Sequence, residues 1–314
     1  MEIISYQEVF HSSLFEMIRS HIRQVPPFID LKYEEFLHIL HQPGHMTDQW
    51  YGVAEQDLKT FMVLKEGELI AAAQVSFPLS SGEEQQNTSD KEQQNTKENT
   101  AELLWIVGDS KFMDELKAFY RHLNQIVLEN GCQSIHISRN PFGAGWAGIP
   151  DCWPHLLEVV QSVCSYEVDL WECYWSDGPL NRRALPIGYN VELTNNLQAL
   201  QLHFELILDD HTIGEIDVWT PSTIASSLTE IGYAAMEWIE VSEEHRGQGI
   251  GHAMLSCMYD RCLELGLKRF ILWTDTPEMK SLAIKSGFRE GPVFHWITTQ
   301  IEGSIHLTAE VQND

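Results

Sequence analysis

Residues 246–251 read Arg-Gly-Gln-Gly-Ile-Gly and lie between an apolar run, Met236 to Val241, and a long stretch of helical periodicity. Glycine lets a backbone curl without Cβ clashes, and the amides that open a helix converge at its positive end. Residues of these types at this spacing make an anion cradle suited to phosphate. A P-loop would continue with Lys and Ser or Thr, whereas Gly251 is followed by His252 and Ala253. A dinucleotide fingerprint would place its glycines directly after the strand and a third glycine at His252, but Ser242 to Arg246 intervene. What remains is Arg-x-x-Gly-x-Gly behind a strand that ends in Val.

The elements that must position this cradle can be read from its flanks. Ile250, Met254, Leu255, Met258, Cys262 and Leu263 recur at helical spacing, with Arg261 near the end and Gly266 as a cap. Leu267 to Thr274 then reads as a strand and Pro277 to Lys285 as a short helix. Gly287-Phe288 opens a strand pair, Phe288 to Glu290 and Val293 to Ile301. Upstream, Leu202 to Leu208 and His211 to Trp219 form a hairpin around Asp209-Asp210.

This order, over roughly residues 183–300, resembles a domain of the GNAT acyltransferase superfamily. The resemblance implies an acyl-CoA as co-substrate, most simply acetyl-CoA. Its pyrophosphate would rest on the amides of Gln248 to Gly251, and its pantetheine arm would run along the fourth strand against the backbone of Ile239 and Val241. The contacts so implied are Ile239, Glu240, Val241, Arg246, Gly247, Gln248, Gly249, Ile250 and Gly251. Enzymes of this kind transfer the acyl group directly to an amine, whose proton an oriented carboxylate takes. Glu237 and Glu240 are the candidates. Simple strand alternation places them on opposite faces, and Glu237, sharing the parity of Ile239 and Val241, is preferred.

Two features depart from the family pattern. The Tyr that many of these enzymes carry four residues before the terminal Gly-Phe, as acid to the departing thiolate, is here Ala283; Thr276 and Met279 replace the preceding Asn and Ala. Ser281 or water would serve instead, or the step runs unassisted, which a thiol pKa of about 8.5 permits. The helices that wall the acceptor site are also missing, since only Thr194 to Gln201 separates the first two strands. The N-terminal half or the loop Pro221 to Tyr233 must supply that wall.

The first half repeats the order. Glu8–Arg23 and Tyr33–His41 read as helices, Phe61–Leu64 and Leu69–Phe77 as a hairpin, and Glu102–Val107 as a strand. Phe112–Asn130 is a helix capped by Gly131, followed by a strand at Gln133–Ser138, a helix at Pro154–Val163 and a strand at Glu167–Trp175. After Val107 the chain reads Gly-Asp-Ser-Lys-Phe-Met-Asp, so the cradle is absent. Ser80 to Thr100 carries EQQNT twice and no apolar residue, and a disordered surface loop is expected there. The expected fold is α/β (α+β), with two GNAT-like domains, each a mixed, mostly antiparallel twisted sheet flanked by helices. Residues 1–178 are the degenerate copy with its insertion at about 79–101, and 179–314 bind acyl-CoA. The boundary is expected near Ser176 to Arg183, where Asp177-Gly178-Pro179 marks a linker.

Composition sets the surroundings. A formal charge of −26, from 20 Lys and Arg against 46 Asp and Glu, argues against a nucleic-acid or anionic-membrane surface. An anionic co-substrate must therefore be held locally. The six cysteines sit among apolar neighbours without a Cys-x-x-Cys pair, as in a reducing cytosol. Met1 to Ser20 is no signal peptide, and no apolar run is long enough to span a bilayer, so a cytoplasmic monomer or homodimer is expected. His38, His41 and His45 lack a completing ligand, and no metal is expected. His295 reads as a packed strand histidine or a base, and Trp171 to Trp175 as strand core. The expected function is N-acetylation of a small-molecule or peptide amine; the alternative is a non-catalytic acyl-CoA-binding sensor or interaction module.

Overall fold

Alternating apolar residues in the first half form β1 (Glu2–Ser5), β2 (Gln56–Lys65), β3 (Glu68–Pro78), β4 (Thr100–Gly108), β5 (Ser134–Ile137) and the two-residue β6 (Ile149–Pro150). Helical spacing yields α1 (His11–Ile22), α2 (Tyr33–His41), α3 (Met113–Glu129) and α4 (Pro154–Val163). β7 (Ser165–Ser176) leads into β8 (Tyr189–Asn196), β9 (Gln201–Leu208), β10 (His211–Trp219) and β11 (Tyr233–Val241). α5 (Ile250–Glu264), β12 (Arg269–Thr274), α6 (Pro277–Ser286) and β13 (Arg289–Gln300) complete the second half. This computed structural model describes residues 1–41, 56–78, 100–137, 140–143, 146–196, 201–219 and 232–301. The EQQNT insertion, His45 and nearly all of the loop from Pro221 lie outside the described residues.

The strands join in one mixed, mostly antiparallel sheet, ordered β1-β2-β3-β4-β5-β13-β7-β12-β11-β10-β9-β8, with β6 on β13. The β4–β5 and β11–β12 pairs are parallel, and each is bridged by a helix, α3 or α5, as a parallel crossover requires. Four elements of the first half, β4-α3-β5-α4, thus recur as β11-α5-β12-α6. The last strand of each copy is exchanged. β7 pairs with β12 from Phe270↔Ser176 to Thr274↔Glu172, while β13 pairs with β5 from Thr298↔His136 to Gln300↔Ser134. β7 and β13 then pair with each other down the middle of the sheet.

Each exchanged strand buries side chains in the other copy's core. Phe294 and Ile297 of β13 pack with Trp146 and Trp153 of the first half, and Tyr174 of β7 packs with Leu272, Ala283 and Phe288 of the second. Truncating a buried Phe such as Phe294 costs about 3–5 kcal/mol, and here the loss falls on the core of the opposite half. The strand pair expected after Gly287 is a single strand. Gly291 and Pro292 are absorbed in an irregularity between Glu290 and Val293, with Gly291 close against Cys173, so they bend β13 without turning the chain. The helix expected from Glu8 opens as a 3-10 turn, Glu8–Phe10, and is α-helical from His11. Among the described residues, no helix is long and apolar enough to cross a membrane.

Candidate active site

β11 ends at Val241, a 3-10 turn at Glu243–His245 follows, and the backbone enters α5 through Gly249. Gly247 and Gly249 hold φ of +75° and +80°, a region that side-chain-bearing residues avoid. A Cβ on Gly247 would meet nothing within 4 Å, and one on Gly251 would touch only Val241 and Leu282, at 3.9 and 4.0 Å. No side chain caps α5, so its first-turn amides and the positive end of its dipole face this space, with the Arg183 guanidinium lying over Gly249. Arg246 turns the other way: its Nε donates to the Val241 carbonyl at 2.7 Å, and its Nη2 lies 3.4 Å from Glu240 Oε1. Arg246 thereby closes the turn that presents the glycines.

Beside the cradle the sheet opens. β11 and β12 are paired only from Tyr233↔Arg269 to Met236↔Leu272, while β11 continues along β10 as far as Val241. From Glu237 onward, one edge of β11 is released from β12, and a slot lies between the two strands.

A bulge at the mouth of this slot corrects the expected orientation of the acids. Asp217 of β10 pairs with Trp238 and Val218 with Met236, leaving Glu237 as the extra residue. Ala234, Met236, Ile239 and Val241 all join the core under α5 and α6, whereas Tyr233 and Ala235 join the first-half core on the other side. Alternation continued from Ala235 puts Glu237 on that second side. Alternation carried back from Ile239 and Val241 puts Trp238 and Glu240 there as well. The two glutamates therefore share a face, because the inserted residue resets the period, and both are exposed.

The same face is acidic. Across it, Glu215 is paired with Glu240 and with Glu205, and Asp217 with His203. His203 Nδ1 lies 2.7 Å from Asp217 Oδ1, and this hydrogen bond raises the imidazole above its ordinary pKa, with Glu215 and Glu205 adding to the effect. Trp238 is half exposed beside these carboxylates. Tyr233 and Ala235 bring the first-half core up to the base of Glu237, so that half bounds this side of the slot.

Two further groups were not singled out from the sequence. Ala283 is buried, and no phenol replaces it on α6, but Tyr174 of β7 packs in the same core and donates its hydroxyl to Glu172 at 2.7 Å. Lys280 of α6 pairs with that carboxylate and, together with Tyr174, holds it below the usual range. Burial, with Glu172 contributing, pushes the Tyr174 phenol up to about 12. The second group lies on the expected linker, which is packed on the helices. Arg183 reaches the cradle, and its Nη2 donates to the Gln248 carbonyl at 3.0 Å. The adjacent basic residues Arg182 and Arg183, in so acidic a chain, were the available signal.

At the corresponding place in the first half the space is filled. Among the described residues β4 and β5 are paired up to Leu103↔Ile137, and β4 runs on to Gly108. There a Cβ would strike Leu116 of α3, and His155 Nε2 sits 3.1 Å from the Gly108 carbonyl with His21 Nε2 3.4 Å further on. Asp109 caps the following turn by accepting from the Lys111 amide. His295, on β13, is a half-buried residue of the central strands, opposite Ile149 and Leu170.

Residues 168–284 match the model of the acetyltransferase (GNAT) family, so the segment bearing the cradle and slot is a GNAT acetyltransferase domain. The match begins within β7, the strand that completes this half of the sheet. Nearly the whole chain shares its fold with a tandem GNAT protein from the clavulanic acid biosynthesis pathway: 13% identity, 96% of this chain and 99% of that one covered, TM-score 0.58. A GCN5-related N-acetyltransferase from Sphaerobacter thermophilus is similar at 14% identity, 96% and 95% coverage and a TM-score of 0.57. An acetyltransferase of the GNAT family from Colwellia psychrerythraea gives 10%, 96% and 100%, and 0.52. At these identities the likeness is one of fold. No curated protein matches the chain significantly. The family uses acetyl-CoA and, in general, amine acceptors.

Proposed function

We propose that this protein is an acetyl-CoA-dependent N-acetyltransferase that acts on a primary amine of a small molecule or peptide by direct attack. The observation that carries the reading is the open glycine turn at the uncapped start of α5, beside the place where β11 leaves β12. Amides of Gln248 to Gly251 would hold the pyrophosphate, and the released edge of β11 at Ile239 and Val241 would hold the pantetheine arm. Acetyl-CoA supplies an acetyl group on a competent leaving thiolate. Glu237, at the bulge, takes the proton of the attacking amine, directly or through water, with Glu240 on the same face as the alternative. The acidic face of β9 to β11, with Glu205, Glu215 and Asp217, draws a cationic amine toward them.

Residues 1–178 and 179–314 are the two repeats in this reading. The first has lost acyl-CoA binding and serves as the wall of the acceptor site, a role supported by Tyr233 and Ala235 packing in its core. The six cysteines are free, and burial raises several of the thiols, which suits a reducing cytoplasm. A second reading, a non-catalytic acyl-CoA-binding module, is favoured by Ala283 in place of the acid. Thiol release from acetyl-CoA, followed with a panel of di- and polyamines, amino sugars and peptide N-termini, separates the two. Amine-dependent release with acetylated product supports transfer, and acetyl-CoA binding without release across the panel supports the module.

A further inference from the structure

We propose that Arg183, on the segment that joins the two repeats, is a ligand for the pyrophosphate of the acyl-CoA. The inference rests on the cradle reading given above and adds the formal positive charge that a ring of backbone amides lacks. A Cβ placed on Gly249 would fall on the Arg183 guanidinium, so that group occupies the space directly over the residue that opens α5. Its Nη2 donates to the Gln248 carbonyl at 3.0 Å. The planar guanidinium has five donors in all, and most remain available for phosphate oxygens.

The neighbouring cations are committed elsewhere. Arg182 pairs with Asp260 at 2.5 Å and lies 4.3 Å over the Tyr259 ring, and Arg246 reaches Glu240 and the Val241 carbonyl. Among the described residues, no carboxylate pairs with Arg183. In a chain with 46 acidic and 20 basic side chains, an exposed guanidinium with no acidic partner among the described residues, placed at the positive end of a helix, favours an anion.

The segment is also fixed in place. The Arg183 amide donates to Ser256 Oγ at 3.1 Å, the Asn181 amide to the Ser286 carbonyl at 2.8 Å, and Asn181 Nδ2 to the Lys285 carbonyl at 2.8 Å. His252 Nε2 lies 3.1 Å from the Asn181 carbonyl, and Tyr259 donates to Gly178 at 2.7 Å. The backbone of residue 183 is thus set on α5 and α6 in advance, and little more than one side chain must adjust to receive the anion.

The test titrates acetyl-CoA and 3′-dephospho-acetyl-CoA calorimetrically into the wild type, Arg183→Ala and Arg183→Lys. Arg183→Ala should weaken both ligands by a similar factor, about tenfold or more, as expected for losing a charge-assisted contact. Arg183→Lys should fall between, and the melting temperature without ligand should stay at the wild-type value. Affinity in Arg183→Ala equal to or tighter than wild type overturns this proposal alone. A loss confined to the ligand with the 3′-phosphate also overturns it, by moving Arg183 to that group. A wild type that binds neither ligand overturns the cradle reading and this inference with it.

Discussion

Replacing two glycines of the cradle one at a time separates what they do for the fold from what they do for the ligand. Gly249 has φ +80°, where an L side chain costs about 1–2 kcal/mol, and its Cβ would also displace Arg183. Gly251 lies outside the left-handed region, and a methyl there would make ordinary contacts with Val241 and Leu282 at 3.9 and 4.0 Å. Alanine within a helix is favoured over glycine by up to about 1 kcal/mol. Gly249→Ala should therefore destabilise the protein while Gly251→Ala leaves it unchanged or stabilises it, a separation of about 1–3 kcal/mol in denaturant melts. In thermal melts this corresponds to roughly 2–12 °C. Gly251→Ala should keep its acetyl-CoA affinity. Gly251→Glu, which brings a carboxylate to the anion's seat, should lose at least about tenfold with the fold intact. Equal stability of the two alanine variants would refute the turn geometry, and wild-type affinity in Gly251→Glu would refute the placement of the anion.

Glu237→Gln should lower the acyl-transfer rate by roughly 10²-fold or more with acetyl-CoA affinity nearly intact, and Glu240→Gln should be mild; the reverse order in a steady-state comparison moves the base to Glu240. Burial holds His21, His136 and His155 below the ordinary imidazole range, so the unfolded chain takes up their protons first, and the stability tied to them is full above about pH 6.5 and declines as pH falls through it. His203, raised by Asp217, acts in the opposite sense: its contribution is full below about pH 6.5 and is lost as pH climbs through its raised value. Asp217→Asn should flatten the alkaline side of the melting profile and His155→Gln the acid side; curves that match wild type in both variants contradict these assignments.

The cradle, the hairpin around Asp209-Asp210 and the helix–strand alternation of both halves were legible in the sequence, because each has a local cause: positive-φ glycines, a turn pair, or a 3.6-residue period. Nonlocal choices were not. β7 and β13 carry similar apolar alternation, and nothing in either strand says which half of the sheet it will join, so the exchange depends on pairing between strands about a hundred residues or more apart. The bulge at Glu237 was hidden for a related reason. A run that reads Met-Glu-Trp-Ile-Glu-Val alternates plausibly, and the extra residue becomes visible only against Asp217 and Val218 of the partner strand. Arg183 looked like part of a linker, since the hydrogen bonds that seat it come from Ser256 and from the neighbourhood of Ser286, distant in sequence.

On this reading the fold holds two repeats and one acyl-CoA site, in the repeat that keeps the glycine cradle. Calorimetric titration of acetyl-CoA into the wild-type protein should then show a single class of sites with one acetyl-CoA per chain. Two equivalent sites would contradict the reading that the first repeat, with Leu116 against Gly108 and His155 at its carbonyl, has lost its site, and no binding would contradict the reading of the second.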